Sequence, residues 1–252
     1  MLENKLVFIT GASSGIGRAC AEAYAHAGCR LLLAARRRDR LEALAADLAC
    51  ETHLLELDVR DRAAVDAAVG GLPDRWREID ILVNNAGLSR GLEPVHEGLP
   101  DDWEEMLDTN VKGLLWVSRA VLPGMVARDR GHVVNIGSIS GHQVYPGGAV
   151  YCASKHAVAA ITQGLRLDLL GTRVRVSSVD PGLVETDFSL VRFHGDQDRA
   201  DEVYQQYPPL RATDVAECVV FCTTRPAHVA VMDLVVMPQD QASVFASHHR
   251  GL

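Results

Sequence analysis

Seven short apolar runs separated by helix-patterned stretches constrain this chain more than any other feature. The runs are Leu6–Thr10, Arg30–Ala35, His53–Leu57, Ile79–Asn84, His132–Ile136, Val174–Asp180 and Val229–Val236. Helical patterning falls near residues 16–27, 38–49, 61–70, 101–128, 150–170 and 213–224. Several runs are apolar nearly throughout rather than alternating, as strands are when helices cover both faces of their sheet. Strand–helix alternation of this kind predicts right-handed βαβ units and a parallel sheet. No linker, repeat or low-complexity tract divides the chain. The segment 187–212 reads differently: polar, with Gly195, Pro208 and Pro209 and a weak helix near 197–206. Long segments of that type serve as lids or stay disordered.

Composition excludes several classes of function. Apolar residues make up 48%, enough for a buried core. No window approaches the roughly 18 uncharged apolar residues of a membrane span. The first run starts at Leu6, which leaves no room for a signal peptide before it. A formal charge of −8 argues against nucleic acid, and it requires any anionic ligand to be held by local charges. The six cysteines form no CxxC pair. Cys218 and Cys222 stand at i, i+4 with no accompanying histidine or carboxylate set, so they read as core residues rather than metal ligands. Reduced thiols in a cytoplasm are the expectation.

The first run leads directly into TGASSGIG, with Gly11, Gly15 and Gly17. A glycine-rich turn between strand and helix lets backbone N–H groups reach a pyrophosphate at the positive helix end. Ser13, Ser14 and Ile16 share that turn, and the Ser13 hydroxyl is a further phosphate donor. At the end of the second run, where an NAD enzyme offers an acidic group to the ribose, this chain has Arg36 and Arg37. Guanidinium groups bind a 2′-phosphate by charge-assisted forks, so the expected cofactor is NADP. Asp58 and Val59 follow the third run, and Asn84, Ala86 and Gly87 follow the fourth. These positions are strand C-termini, where open α/β sheets bind ligands.

Lysine occurs only at 5, 112 and 155, and Lys155 stands one helical turn after Tyr151. A phenol is a poor acid–base catalyst at its ordinary pKa near 10. A nearby ammonium stabilises the phenolate, which gives Lys155 a reason to be there. Ser138 ends the fifth run in VVNIGSISG and is placed to donate to a substrate oxygen.

TGASSGIG, NNAG, Asp108-Thr109-Asn110, Ser138, YCASK and DPGLVETDF occur in the order that resembles the short-chain dehydrogenase/reductase family, from residue 5 to about 236. The resemblance implies one Rossmann-type domain, a three-layer α/β sandwich with a seven-stranded parallel sheet. It implies a tetrad of Asn110, Ser138, Tyr151 and Lys155. Tyr151 would be the general acid/base and Ser138 would polarise the substrate oxygen. Lys155 would bind the nicotinamide ribose and lower the tyrosine pKa. Asn110, at a bend in the 101–128 helix, would hold a relay water. Pro181, Gly182, Val184 and Thr186 would line the nicotinamide. A dimer through helices 101–128 and 150–170, and commonly a tetramer, is implied as well.

Within the family, LPDRWREIDILVNNAGLSRGLEPVHEG, DWEEMLDTNVKGLLWVSRAVLPGMVAR, SLVRFHGD and the C-terminal MPQDQ and HHR resemble the NADP-dependent 3-hydroxy acid dehydrogenases. That branch oxidises short 3-hydroxy acids such as serine or L-allo-threonine and reduces semialdehydes such as malonic semialdehyde. The carboxylate of such a substrate needs a cationic partner in a protein of this charge. Arg192 is the candidate; packing of the 187–212 lid, or a cofactor phosphate, is its competing use. Gln143 and Tyr145 are further substrate candidates. A broader carbonyl or polyol reductase, or an NADP-binding sensor without chemistry, stands as the alternative reading.

Overall fold

In the computed structural model, which describes residues 2–205 and 207–248, the chain begins with β1 (Leu6–Thr10), α1 (Gly15–His26), β2 (Arg30–Ala35), α2 (Arg38–Asp47), β3 (Thr52–Glu56), α3 (Arg62–Gly70) and β4 (Ile81–Asn84). There follow α4 (Pro100–Leu107), α5 (Leu114–Ala127), β5 (Gly131–Ile136), α6 (Ala149–Asp168) and β6 (Val174–Pro181). The last part holds β7 (Val184–Glu185), α7 (Phe188–Arg192), α8 (Gln197–Tyr204), β8 (Leu210–Arg211), α9 (Ala212–Thr223) and β9 (Asp233–Val236). Of the C-terminal HHR, His249 and Arg250 lie outside the described residues.

β1 shows why the sheet is covered on both sides. Val7 and Ile9 point to one face and Leu6 and Phe8 to the other, all fully buried. α1 and α9 pack on the first face through Cys20, Tyr24, Val215 and Val219. α5 packs on the second through Val117, Val121 and Met125. In register, Phe8 lies between Leu32 of β2 and Leu82 of β4. Each such side chain contributes about 1.5–3 kcal/mol by leaving water. The Tyr24 phenol shares a 3.0 Å hydrogen bond with Thr223, so it is not buried without a partner.

The sheet has seven parallel strands in the order β3-β2-β1-β4-β5-β6-β9. After β1 the chain steps outward to β3, then returns to the opposite side at β4. The loops that follow β1 and β4 therefore diverge, and a crevice opens above the strand C-termini. Among the described residues no helix is long and apolar enough to cross a membrane.

The elements depart from the sequence reading mainly at strand ends and in one helix. The third strand starts and ends one residue early, at 52–56. The fourth begins at Ile81, because Asp80 turns its carboxylate onto the Leu6 N–H and the Lys5 ammonium. The last begins at Asp233 rather than Val229. Arg175 takes the Val229 carbonyl, and the Ser177 hydroxyl takes that of Val231, so side chains hold the stretch before the ladder starts. The single helix expected over 101–128 is two helices joined by a π-helical stretch, Asp108–Gly113. There a Cβ on Gly113 would meet Val59 at 2.6 Å, and Asn110 is bonded to the main chain of Leu88.

The segment after β6 is an excursion closed at its neck. β7 and β8 pair in parallel, Val184 with Leu210 and Glu185 with Arg211. Between them α7 and α8 are joined by a hydrogen bond from the Ser189 hydroxyl to Tyr204, whose own hydroxyl donates to the Thr186 carbonyl.

Candidate active site

Gly11 turns the chain after β1 with φ +65°, and a Cβ there would lie 2.8 Å from Asn85 Nδ2 and 2.9 Å from Ala86 Cα. Only glycine fits. Gly15 opens α1 with φ +52° and lies against Thr186. The N-cap residue of α1, Ser14, makes no capping bond, which leaves the first N–H groups of the helix available to an anion. Gly11, Ser13, Ser14, Gly15 and Ile16 wall one end of a cavity of about 560 Å³. A pyrophosphate fits this cradle by backbone approach and helix polarity.

Beyond the cradle the cavity reaches Arg36, Arg37, Asp58 and Val59. Arg37 donates to the hydroxyls of Ser13 and Ser14 at 3.3 and 3.1 Å. Arg36 lies 3.6 Å from Glu105. Burial pushes the Glu105 carboxyl up, but the hydrogen bond from Arg90 and the charges of Arg60 and Arg36 outweigh it and hold the carboxyl below its ordinary range. Asp58 is gripped by Arg60 at 2.6 Å. Arg36 and Arg37 thus supply two guanidinium groups at the end where a 2′-phosphate would lie.

Ala86, Gly87, Pro181, Gly182, Val184 and Thr186 line the middle of the cavity. At the opposite end α6 presents Tyr151 and Lys155, both buried, with Ser138 facing them from the loop after β5. Gly141 lets that loop approach: a Cβ on it would meet the Lys155 carbonyl oxygen at 2.8 Å. The Ser138 hydroxyl accepts from the Ser140 N–H at 3.0 Å and shares the cavity wall with the Tyr151 phenol. Lys155 Nζ donates to the Ile136 carbonyl at 2.9 Å and stands 6.0 Å from the Tyr151 ring centre. Burial pushes the Lys155 ammonium down to about 8, against the opposing charge of Asp180.

Burial also pushes the Tyr151 phenol well above its ordinary value, with Tyr145 adding to the rise; Arg192 and the Ser138 hydroxyl oppose it. Arg192 is thus a second cation beside the phenol, alongside Lys155, whose Nζ is also held by the Ile136 carbonyl. Arg192 Cζ lies 5.5 Å from the Tyr151 ring centre and 5.1 Å from that of Phe188. Its helix is held from below, where Arg90 donates to the Val191 carbonyl and Gly91 N–H to that of Arg192. Tyr145 accepts from Arg192, while the buried Arg192 Nε has no protein partner.

Four expected residues do not line this cavity. Gly17 faces inward, where a Cβ would meet Gly11 O and Asn85 Nδ2 at 2.4 Å, so it packs helix against turn. Asn84 is buried under the sheet end, donating to Ser118 and Asn135; its neighbour Asn85 lines the cavity instead. The Asn110 side chain is spent on the Leu88 main chain and Ser154. Gln143 is spent on the Val244 N–H, from which it accepts. Sequence reasoning missed Leu92, Phe188, Tyr204 and Tyr207, and the tail residues Gln241 and Val244, which also line the cavity. Phe188, Tyr204 and Tyr207 carried a signal, as aromatics inside an otherwise polar segment.

Comparisons with known proteins agree with this geometry. Residues 5–196 match the profile of the short chain dehydrogenase family. An NADP-dependent 3-hydroxy acid dehydrogenase of Salmonella typhi is 46% identical over 247 residues, covering 98% of this chain and 100% of its own. A sulfoacetaldehyde reductase of Chromohalobacter salexigens is 48% identical over 245 residues, 96% of this chain and 97% of its own. The closed form of a serine dehydrogenase complexed with NADP+ superposes with a TM-score of 0.93 at 45% identity, over 97% of this chain and 99% of that one.

Proposed function

The chain belongs to the short-chain dehydrogenase family, and from that premise we propose that it is an NADP-dependent oxidoreductase acting at the 3-hydroxyl, or 3-oxo, carbon of a short 3-hydroxy acid. The observation that carries this reading is the position of Arg192: a guanidinium on the cavity wall, 5.5 Å from the ring centre of the buried Tyr151. A substrate whose hydroxyl reaches Ser138 and Tyr151 then presents its carboxylate to Arg192.

In the Gly11–Ile16 cradle the backbone binds pyrophosphate, and Arg36 and Arg37 hold the 2′-phosphate. When bound, the nicotinamide supplies the hydride acceptor or donor. Tyr151 takes the hydroxyl proton in oxidation and returns it in reduction. Ser138, fixed by its bond from Ser140, holds the substrate oxygen as charge develops on it. Lys155 offers donors to the ribose hydroxyls and a charge near the phenol. Asn110 supports this region by fixing the Leu88 main chain rather than through its side chain in the cavity. The 187–212 segment acts as the lid over the substrate end of a single NADP-binding domain.

A sulfonate in place of the carboxylate is the second reading, favoured by the 48% identity to a sulfoacetaldehyde reductase and by the same guanidinium on the cavity wall. The site is placed for a small soluble ligand, with no nucleic acid or membrane partner. The six cysteines stand as free thiols, in keeping with a cytoplasmic protein. Leu107 and Leu115 on the α4–α5 face and Leu167 on α6 are exposed, which supports assembly as a homodimer or homotetramer through those helices.

Purified protein supplied with NADP+ and serine, L-allo-threonine, 3-hydroxyisobutyrate, 2-hydroxyethanesulfonate or uncharged alcohols tests this directly. The expected result is NADPH formation with the substrates that carry a carboxylate or sulfonate and little with the uncharged alcohols. Equal rates on uncharged alcohols would replace the assignment with a general carbonyl reductase. Tyr151→Phe abolishes turnover while NADPH still binds.

A further inference from the structure

One buried carboxylate beside the site has no task in the mechanism above. Asp180, in β6, is almost fully buried. Its Oδ1 accepts from the Ser178 hydroxyl, and its Oδ2 lies 2.7 Å from Nε2 of His142. His142 caps the short turn that follows Ser138 and is partly open to solvent. Gly137 exists to admit this carboxylate: a Cβ on it would lie 1.9 Å from Asp180 Oδ1. Gly137 also follows Ile136, whose carbonyl holds Lys155 Nζ. Asp180 therefore stands against the strand end on which the ammonium is anchored. A buried carboxylate is costly unless partnered, so its retention with two built partners points to a role.

We propose that Asp180, held by His142 and Ser178, is a positioning residue that keeps the charge on Lys155, adding a second ionisable layer behind the Tyr151–Lys155 pair. This rests on the role given to Lys155 under the proposed function. The groups that bear on the ammonium come from each element around it. Tyr151 lies on its own helix. Asp180 faces it from β6, with His142 behind. Asn110, uncharged, packs from the π-helical stretch, and Arg192 lies across Tyr151 from α7. Asp180 is the anion among them, and its charge raises the Lys155 pKa against burial.

The sign of the effect follows. Lys155 loses its proton as pH rises through about 8. Without the Asp180 charge that loss comes earlier. In Asp180→Asn the alkaline limb of kcat/KM, and of NADPH affinity, shifts to lower pH by about one unit. Activity then falls roughly fivefold at pH 8 and stays within about twofold at pH 6. His142→Ala frees the carboxylate to turn away and shifts the limb in the same direction. His142→Gln, which keeps a donor near the Nε2 position, restores it.

The experiment is a set of pH profiles, by turnover with NADP+ and by NADPH fluorescence titration, on wild type, Asp180→Asn, His142→Ala and His142→Gln. A limb that stays at the wild-type pH in folded Asp180→Asn overturns the proposal. Should that variant fail to fold, an unmoved limb in His142→Ala, or a failure of His142→Gln to restore a moved one, overturns it equally. An inactive wild type would sink the dehydrogenase reading instead, and the NADPH titration would still decide the part played by Asp180.

Discussion

Arg192 Nη2 donates to the Tyr145 hydroxyl at 3.0 Å, which fixes the guanidinium at the cavity wall. A planar fork in that position suits a carboxylate better than a point charge does. Losing a charge-assisted hydrogen bond costs about 1.5–3 kcal/mol, or roughly ten- to hundredfold in affinity. Arg192→Ala is therefore expected to raise KM for a 3-hydroxy acid by that factor and to leave KM for an uncharged alcohol of equal length nearly unchanged. The same change removes the cation that opposes the rise of the Tyr151 pKa, so the limb of oxidation that needs phenolate moves to higher pH. Arg192→Lys keeps the charge and should move that limb little. Steady-state kinetics against pH with both substrates separate the two effects, and equal losses on both substrates would remove Arg192 from carboxylate binding.

The two arginines after β2 are not equivalent. Arg37 already bonds the cradle serines, whereas Arg36 is drawn to Glu105. Arg37→Ala is expected to weaken NADP+ binding by about 1.5–3 kcal/mol and Arg36→Ala by less. NAD+ binding should change little in either variant. Calorimetric titration with both cofactors measures this, and parallel losses for NAD+ and NADP+ would refute the assignment of these side chains to the 2′-phosphate.

What was legible in the sequence had a period or a spacing. The parallel sheet follows from apolar runs too uniform for one exposed face, and the cradle from glycines that backbone approach requires. Tyr151 and Lys155 are joined by one helical turn, so local geometry alone brings them to one face. What was not legible depended on direction at a strand end. In Asn84-Asn85 a shift of one residue exchanges a sheet-facing side chain for a cavity-facing one. Gln143 is held by the Val244 N–H, a partner about a hundred residues away. The π-helical stretch arises from packing of Gly113 on Val59 and of Asn110 on Leu88, contacts between distant segments that no helical pattern encodes.

His132 gives the protein an acid limit unrelated to the site. It is buried in β5, with Nε2 at 2.8 Å from the Ser177 hydroxyl and Nδ1 without a partner. Burial, aided by the charge of Arg175, pushes its imidazole down to about 3. The folded chain thus keeps His132 neutral where the unfolded chain, titrating near 6.5, takes up a proton. Stability from this group is present above about pH 6.5 and lost as pH falls toward 3, at up to about 1.4 kcal/mol per pH unit. In His132→Gln the plot of unfolding free energy against pH, from urea melts between about pH 6 and 4.5, should be shallower by that slope. Superimposable slopes would mean that His132 is not held neutral.

The 187–212 segment, proposed as the lid, is tied to α2 by an exposed ion pair. Arg40 of α2, three residues after Arg37, reaches Asp187 at 3.1 Å, and Asp187 is the N-cap residue of the helix that ends at Arg192. Both side chains are about half exposed, so the pair itself stabilises the fold by no more than about 1 kcal/mol. Its leverage lies in position: it fixes one end of a short helix whose other end carries Arg192, the arginine proposed for the substrate. Asp187→Asn and Arg40→Gln should each leave Tm nearly unchanged. Each should raise KM for the hydroxy acid by roughly two- to fivefold, about 0.5–1 kcal/mol of lost lid positioning. The double variant should be no worse than either single one, because both break the same contact. High salt, which screens an exposed pair, should bring wild type toward the variants. Additive effects, or a salt dependence equal in wild type and variants, would show that the lid is held without this pair.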